Sequence, residues 1–549
     1  MINKKLSAVV VIALGPISVL AQAATMTASA AVACQALQSV DLSDLQDAPT
    51  QLTASKMIAR SGDRPEYCEV DGYVAPQVGF QLRLPISTWN GKFLAIGNGG
   101  WGGTFDGNAC NGYLKRGYAC VISDTGHKGQ GDDGLWARHN LSAQIDFGYR
   151  GTHVAALAGK AVVEHFYSRA PQRSYFTGCS TGGYEGLVEA QRFPSDFDGI
   201  VAGAPDMDEL AWVMRSLWSA RNIQDKSGQP IMSANHIQLL HRAVLDACDK
   251  DDGVKDGLVG NPLACKFDVS TLACKGANSS QCLTYAQVEA VKRIYAGPMT
   301  SAGIRTATGG VLPGSELSWN DPLLGLGAPA LRILAESLLR DMTYGANPEW
   351  KASEFDFDRD YQRLGLGALY MDTNPDLRKF KAAGGKLIVY QGANDLLNQP
   401  SAIVDYFQTT ERTMGGREPT EEFFRLFLVP GMGHCTGGAG AYAIDYLSYL
   451  ETWVEKGKAP DAMIGAHVSD SYLAAMPIDW TSSTPLTPEL KALVAPSRLQ
   501  FPLDPTISVS FTRPVYPFPD YAVFNGTGSA SAAGNFERHV PPGLMPPGP

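Results

Sequence analysis

The segment "YFTGCSTGGYEG" at residues 175–186 decides the fold of this chain. It contains a Gly-x-Ser-x-Gly pattern in which Gly178 and Gly182 bracket Ser180. A nucleophilic serine needs a sharp bend between a strand and a helix, and small residues on either side let the backbones approach closely. The apolar "RSYF" predicts the strand, and residues 183–193 predict the helix. The alternative is a glycine-rich turn with an incidental serine, but both flanking elements favour a catalytic Ser180.

Short apolar runs that end in glycine-rich or polar turns recur along the chain, as in "KFLAIGNGG", "YACVISDTGH", "DGIVAGAP", "KLIVYQGAND" and "FRLFLVPGMGHC". Continuous apolar character is typical of strands buried on both faces of a parallel sheet. Helical patterns such as residues 151–168 lie between them. Strand alternating with helix predicts a layered α/β fold.

The alternation stops after "AGAPD" (202–206) and resumes at "GGKLIVYQG" (384–392). The intervening residues carry four cysteines, an acidic loop and several tryptophans. We therefore predict one α/β domain, residues 24–209 and 376–540, interrupted by a large inserted lid domain at 210–375. The proline-rich end, residues 541–549, is predicted to be a disordered tail.

The N-terminus predicts a signal peptide over residues 1–23. Lys4 and Lys5 precede an apolar stretch, and "AQA" (21–23) offers a cleavage site. A membrane anchor is the alternative, but about 15 apolar residues interrupted by Gly15 and Pro16 fall short of a span. The net charge of −10 forms no basic stripe, which argues against nucleic-acid binding. We expect a secreted or periplasmic protein without a membrane span.

Export changes the meaning of the ten cysteines. An even number in an oxidising compartment predicts up to five disulfides. A zinc site is the alternative, and it has little support because no C-x-x-C pair occurs.

The general base should follow the serine and the acid in chain order. Three histidines lie beyond the inserted segment, and His434 in "LVPGMGHC" follows directly on an apolar strand pattern. His467 lacks that setting, and His539 lies close to the tail. These positions favour His434.

Asp395 in "VYQGAND" follows a predicted strand and is the candidate acid. Asp405 lies further along in a predicted helix, where solvation explains it better. Ser180 would attack an ester carbonyl, His434 would take and return the proton, and Asp395 would orient the imidazole.

The tetrahedral intermediate needs backbone N–H donors for its oxyanion. Thr181, the residue after the nucleophile, is predicted to supply one, and the loop "IGNGGWGG" (96–103) the other, with Gly99 preferred and Gly100 next. A phosphate-binding loop is the competing interpretation, but the segment lacks the Lys-Ser/Thr ending of a nucleotide site.

Cys179 precedes the candidate nucleophile and Cys435 follows the candidate base. If Ser180 and His434 meet, these cysteines come within bridging reach and should pair in an oxidising compartment. Cys179 is then a structural link between two catalytic loops and not a competing thiol.

Three of these motifs, "GCSTGG", the aspartate after "YQGAN" and "GMGHC", resemble the tannase and feruloyl esterase family of α/β-hydrolases. The resemblance extends over nearly the whole mature chain, from about Cys34 onward. It implies an α/β-hydrolase fold with a large lid, a serine esterase activity with a Ser-His-Asp triad, and a disulfide between the cysteines beside serine and histidine.

The acidic segment "CDKDDGVKDGLVGNPLAC" (248–265) offers carboxylates of the kind that calcium prefers, although a solvated acidic turn is an equal alternative from the residues alone. The resemblance implies a structural calcium site in the lid. Its ligands would be the side chains of Asp249, Asp252 and Asp256 and the carbonyls of Val254 and Leu258. Cys248 and Cys265 would close the loop.

The remaining cysteines are paired less firmly. Proximity favours Cys274 with Cys282 and Cys34 with Cys68. Cys110 with Cys120 follows by elimination, and free thiols are the alternative for that pair.

The resemblance implies small aromatic ester substrates, either feruloyl and other hydroxycinnamoyl esters or galloyl esters, derived from plant cell walls or tannins. One branch of the family hydrolyses a terephthalate monoester instead. Gln391 and Asn398 replace a histidine and a phenylalanine of that branch, and Arg332 only neighbours the position of its carboxylate-binding arginine. Terephthalate-monoester hydrolysis, an exported serine peptidase and a non-catalytic binding protein remain as alternatives.

Overall fold

The computed structural model of the chain describes residues 30–277, 279–344, 349–362, 365–478 and 485–541. The predicted signal peptide and residues 542–549 of the predicted tail lie outside these ranges. A nine-stranded sheet forms the centre of the fold, in the order β1-β2-β3-β5-β4-β6-β7-β8-β9. Its strands are β1 (Thr50–Ile58), β2 (Tyr67–Val74), β3 (Val78–Pro85), β4 (Lys92–Ile96), β5 (Ala119–Ser123), β6 (Arg173–Cys179), β7 (Gly199–Gly203), β8 (Lys386–Gly392) and β9 (Phe424–Val429).

The sheet is antiparallel from β1 through β3 to β5 and parallel from β5 to β9. Consecutive residues of β4 enter different cores, because Phe93 and Ala95 belong to one apolar cluster and Leu94 to another. This two-sided burial explains the continuous apolar runs in the sequence. The predicted α/β-hydrolase fold is confirmed.

Helices cover both faces of the sheet. In the first part of the chain they are α1 (Asn111–Lys115), α2 (Leu141–Ile145), α3 (Gly151–Tyr167) and α4 (Thr181–Arg192). After β8 they are α10 (Pro400–Met414), α11 (Arg417–Glu421), α12 (Tyr446–Lys456), α13 (Asp470–Ala475) and α14 (Pro488–Val494). Helices α3 and α4 pack in the same apolar cluster as Phe93, whereas α12 packs in the cluster of Leu94.

Strands β7 and β8 are neighbours in the sheet, although residues 204–385 separate them along the chain. Where it is described, that segment adds no strand to the sheet, and it contains α5 (Glu209–Ile223), α6 (Ala234–Cys248), α7 (Tyr285–Ala296), α8 (Pro329–Ser337) and the short α9 (Arg378–Ala382). Apolar clusters surround its Trp212 and Trp319, and the cluster of Trp212 also includes Trp101 and Phe147 from the first part of the chain. The lid boundaries at 210 and 375 remain a prediction.

Two small antiparallel ribbons complete the fold. β10 (Met463–Val468) pairs with β11 (Val509–Val515), and β12 (Tyr521–Phe524) pairs with β13 (Phe536–His539). His467 therefore lies on β10 and His539 on β13. In the described ranges, no helix combines the length and the apolar character needed to cross a bilayer.

All ten cysteines form disulfides, so the structure offers neither a free thiol at Cys110 and Cys120 nor a cysteine for zinc. The bonds are Cys34–Cys68, Cys110–Cys120, Cys179–Cys435, Cys248–Cys265 and Cys274–Cys282.

The contact between α4 and β7 gives a first prediction. An added Cβ at Gly183 would lie 2.1 Å from the carbonyl oxygen of Gly203. Although alanine is the better helix former, Gly183→Ala should lower the free energy of unfolding by about 1–3 kcal/mol, because the helix must move off the strand. The control is Gly276→Ala, where a Cβ meets no atom within 4 Å. Equal thermal unfolding midpoints for the two variants would contradict this account.

Candidate active site

Ser180 occupies a strained bend between β6 and α4. Its φ of 63° and ψ of −122° place a non-glycine residue in a sparsely populated backbone region. A hydrogen bond stabilises the bend: the backbone N–H of Ser180 donates to Gly203 O at 3.0 Å. A Cβ at Gly178 would come within 2.5 Å of Gly182 O, so the two flanking glycines are needed for the chain to turn this tightly.

Asp395 and His434 meet at the same edge of the sheet, since Asp395 follows β8 and His434 follows β9. His434 Nδ1 lies 2.9 Å from Asp395 Oδ2. Asp395 is 1% exposed, and its Oδ1 accepts the N–H groups of Leu397 and Asn398 at 2.9 and 3.0 Å. The contact occupies Nδ1, so proton exchange with a substrate falls to Nε2.

The buried amide of Gln391 supports the acid, a role that the sequence analysis missed. Its Nε2 donates to Asp395 Oδ2 at 2.9 Å and to Asn398 O at 2.8 Å. Asn398 in turn donates its side-chain N–H to Ala204 O at 2.6 Å. The only available signal was the position of Gln391 near the end of β8, four residues before Asp395. Gln391 and Asn398, which differ from the residues of the terephthalate-monoester branch, thus hold the loop that carries Asp395.

The disulfide Cys179–Cys435 joins the serine loop to the histidine loop. These cysteines are 256 positions apart in sequence and have a Cα–Cα separation of 5.9 Å. In the described part of the chain, no hydrogen bond links the Ser180 hydroxyl to the His434 ring. In hydrolases without substrate this bond is often long and tightens only in the Michaelis complex. The bridge keeps the two side chains on neighbouring loops.

The loop after β4 supplies N–H groups beside Ser180. Most of its N–H groups have acceptors within the protein, namely those of Gly97, Asn98, Trp101, Gly102 and Gly103. Among the residues described, those of Gly99, Gly100 and Thr181 have none. Gly99 also has open space on its Cβ side. These N–H groups are therefore available as donors, and the assignment of Gly99 and Thr181 to an oxyanion hole stays a prediction.

An aromatic contact joins the inserted segment to this loop. Trp101 donates its indole N–H to Ser337 Oγ on α8 at 2.7 Å, and its ring meets Trp212 of α5 edge-on at 6.1 Å. Behind it, His127 of the "DTGH" motif stacks on Trp136 at 3.6 Å, and burial lowers its pKa to about 4. Trp101 and Trp212 are buried, so these rings form a packed apolar cluster between the inserted segment and the loop that carries Gly99.

The predicted calcium residues lie in one acidic turn after α6. Asp249 accepts the N–H groups of Asp256 and Gly257, and Asp252 accepts that of Val254 at 3.2 Å. Burial, together with the neighbouring carboxylates of Asp256 and Asp249, raises the pKa of Asp252 to about 7. The turn concentrates negative charge away from solvent.

One cation already reaches this turn. Arg513 on β11 donates from Nη2 to Asp256 Oδ2 at 2.5 Å. As the described side chains stand, the carboxylates of Asp249, Asp252 and Asp256 do not all come within 4.8 Å of one another. The donors are of the type that suits calcium, but their full convergence requires Asp256 to leave Arg513.

The bridge between the catalytic loops gives a second prediction. Replacing both Cys179 and Cys435 by alanine should lower kcat by about tenfold or more, because small displacements of reacting groups are costly. The matched control replaces Cys274 and Cys282, whose bridge spans eight positions in the inserted segment. Hydrolysis of p-nitrophenyl acetate well below the unfolding temperature measures the effect. Equal kcat values in the two double variants would show that the bridge does not hold catalytic geometry.

Comparison with known proteins agrees with the geometry. A model of the tannase and feruloyl esterase family matches residues 62–539. A mono(2-hydroxyethyl) terephthalate hydrolase of Piscinibacter sakaiensis is 32% identical, over 89% of this chain and 87% of that protein. A probable feruloyl esterase of Arthroderma benhamiae is 34% identical, over 70% of this chain and 74% of its own length.

A solved structure shares the fold. Feruloyl esterase B from Aspergillus oryzae superposes with a TM-score of 0.77 at 23% identity, covering 93% of this chain and 100% of the other. The chain belongs to the tannase and feruloyl esterase family and is a carboxylic ester hydrolase.

Proposed function

We propose that this protein is an exported serine esterase that hydrolyses esters of small phenolic acids, of the hydroxycinnamoyl or galloyl type, with Ser180, His434 and Asp395 as its triad. One observation carries the proposal: His434, which contacts Asp395, lies on a loop that a disulfide joins to the strained bend of Ser180. Such a bend costs free energy and persists where it is used.

The residues would divide the chemistry as follows. His434 Nε2 takes the proton of Ser180 Oγ as that oxygen attacks the ester carbonyl, and Asp395 stabilises the imidazolium. The N–H groups of Thr181 and Gly99 donate to the oxygen that gains negative charge. His434 then protonates the departing alcohol, and a water molecule repeats the sequence to release the acid.

The aromatic cluster of Trp101 and Trp212, packed against the loop that carries Gly99, supports an aromatic acyl group. The name of the Arthroderma relative points to ferulate, and that of the Piscinibacter relative makes the terephthalate monoester the second candidate. Arg332 is exposed on α8, and Arg340 pairs with Asp341 at 2.9 Å. Neither arginine supports a clamp for a terephthalate carboxylate, so phenolic esters are favoured. Plant cell walls and tannins are the expected sources.

Export is supported by the five disulfides and by the apolar N-terminal segment of the sequence. A secreted or periplasmic location would keep the bridge between the catalytic loops oxidised. An exported peptidase is the alternative with the same triad, and casein digestion tests it. A non-catalytic binding protein is the other, and a covalent serine probe tests that one.

We also propose that the acidic turn holds calcium. Its side-chain donors are Asp249, Asp252 and Asp256, and its carbonyl donors are Val254 and Leu258. The buried carboxyl groups of Asp249 and Asp252 in one turn support a bound cation, and Arg513 would be displaced from Asp256. The ion would fix the conformation of the turn, and no step of the reaction passes through it.

The esterase proposal is tested by hydrolysis of methyl ferulate, methyl gallate and mono(2-hydroxyethyl) terephthalate. We expect the highest kcat/KM on ferulate or gallate, and loss of turnover in Ser180→Ala because the nucleophile is gone. Preference for the terephthalate ester would select the second candidate. Ser180-independent turnover, or none on any ester, would contradict the proposal.

Calcium is tested by thermal unfolding with calcium or with EGTA. At a concentration of about 100 times Kd, binding adds about 2.7 kcal/mol to the free energy of unfolding, so EGTA should lower the midpoint. Asp252→Asn should abolish this difference, whereas Asp251→Asn, at an exposed neighbour outside the ligand set, should preserve it. An EGTA-insensitive midpoint in the unaltered protein would refute the site.

A further inference from the structure

Glu185 lies in the second turn of α4, five residues after Ser180, and is 4% exposed. Its two carboxylate oxygens take two donors from a single residue. Oε2 accepts the backbone N–H of Asn98 at 3.0 Å, and Oε1 accepts the Asn98 side-chain N–H at 3.2 Å. Asn98 is the residue before Gly99. The carboxylate therefore holds the peptide that leads directly into the candidate oxyanion donor.

No basic side chain offsets this buried acid among the ion pairs of the described ranges. Asp206, by contrast, is equally buried and pairs with Arg215 at 2.6 Å. Burial raises the pKa of Glu185 to about 7, and its hydrogen bonds from Asn98 and Thr152 oppose that rise. Burying a carboxyl without a cation is costly unless hydrogen bonds compensate. The contacts that compensate here include both donors of Asn98.

The loop and α4 also meet through their backbones. A Cβ at Gly97 would lie 2.5 Å from Gly182 Cα and 2.7 Å from Glu185 Oε2. Gly182 donates its N–H to Asn98 O at 2.8 Å, and Thr181 donates its hydroxyl to Gly100 O at 2.5 Å. Both peptide groups of Asn98 are thus fixed by α4. The Glu185 side chain fixes the backbone N–H of Asn98, and the Gly182 backbone fixes its carbonyl oxygen.

We propose that Glu185 is a positioning residue for the oxyanion hole: by holding both donors of Asn98, it aims the N–H of Gly99 at the substrate oxygen that becomes negative. This inference rests on the proposed function, because it needs an oxyanion to form beside Ser180. Glu185 does not touch the substrate. A carboxylate suits the role because its two oxygens only accept and can serve two parallel donors.

The proposal predicts an effect on kcat and not on substrate binding. An interaction made only in the transition state lowers kcat when it is lost and leaves KM nearly unchanged. Removing an oxyanion donor outright costs about 10²–10³ in kcat, so a misaimed donor should cost about tenfold or more. A defect of the general fold would instead lower the unfolding temperature and the active fraction.

The experiment compares Glu185→Met with Glu189→Met, using p-nitrophenyl acetate. Glu189 is the matched control because it lies one turn further along α4, is fully buried, and has carboxylate oxygens without a hydrogen-bond partner in the described structure. We expect Glu185→Met to lower kcat by about tenfold or more with KM within about twofold, and Glu189→Met to keep kcat. Glu185→Gln should recover most of the loss, because its amide oxygen still accepts the N–H of Asn98.

Unchanged kcat in Glu185→Met, or an equal loss in Glu189→Met, would overturn the proposal. If Glu185→Met does not fold, Glu185→Asp provides the same test, since it keeps the charge but is too short to reach Asn98; full kcat in that variant would also overturn it. Failure of the proposed function is a different result: the unaltered protein would then show no turnover that depends on Ser180, and both proposals would fall. If the unaltered protein is active and Glu185→Met keeps its kcat, the role of Glu185 is refuted and the proposed esterase function stands.

Discussion

The site depends on a close approach of three backbone segments: the end of β6, the first turn of α4 and the loop after β4. Glycines at 97, 178 and 182 make it sterically possible, because a Cβ at any of them would meet backbone atoms at about 2.5–3.0 Å. The strained conformation of Ser180 is a result of that approach. Once these segments are in contact, the loop that carries Gly99 lies against the first turn of α4, next to Ser180.

The remaining parts of the site reach this region from other strands. Parallel strands end at the same edge of a sheet, so β8 and β9 deliver Asp395 and His434 with little need for long loops. The polar contacts of Gln391 and Asn398 then fix the acid from behind. The inserted segment contacts the loop after β4 through Trp101, which packs against Trp212 and donates to Ser337.

The sequence was most informative where one residue type has one physical use. Gly-x-Ser-x-Gly between a strand and a helix predicted the bend, and continuous apolar runs predicted the parallel strands. The strands β1 to β3 and the ribbons β10–β13 were not predicted. In the edge strand β1, for example, the alternation of buried and exposed residues stops after four positions. The roles of Gln391 and Glu185 were not predicted for another reason. Their contacts link positions far apart in sequence, and a buried amide or carboxyl near a strand or helix end has many common uses.

The disulfide between the catalytic loops also has a consequence for how the chain behaves as a polymer. Cys179 and Cys435 are the ends of a covalent ring that contains the whole inserted segment. The segment between β7 and β8 therefore begins and ends inside this ring, even if its own helices unfold. Length and sequence within the ring can vary, or its helices can loosen with heat, while the Cα atoms of Cys179 and Cys435 stay near their separation of 5.9 Å. Changes in the inserted segment are thereby kept from separating the two loops that carry Ser180 and His434.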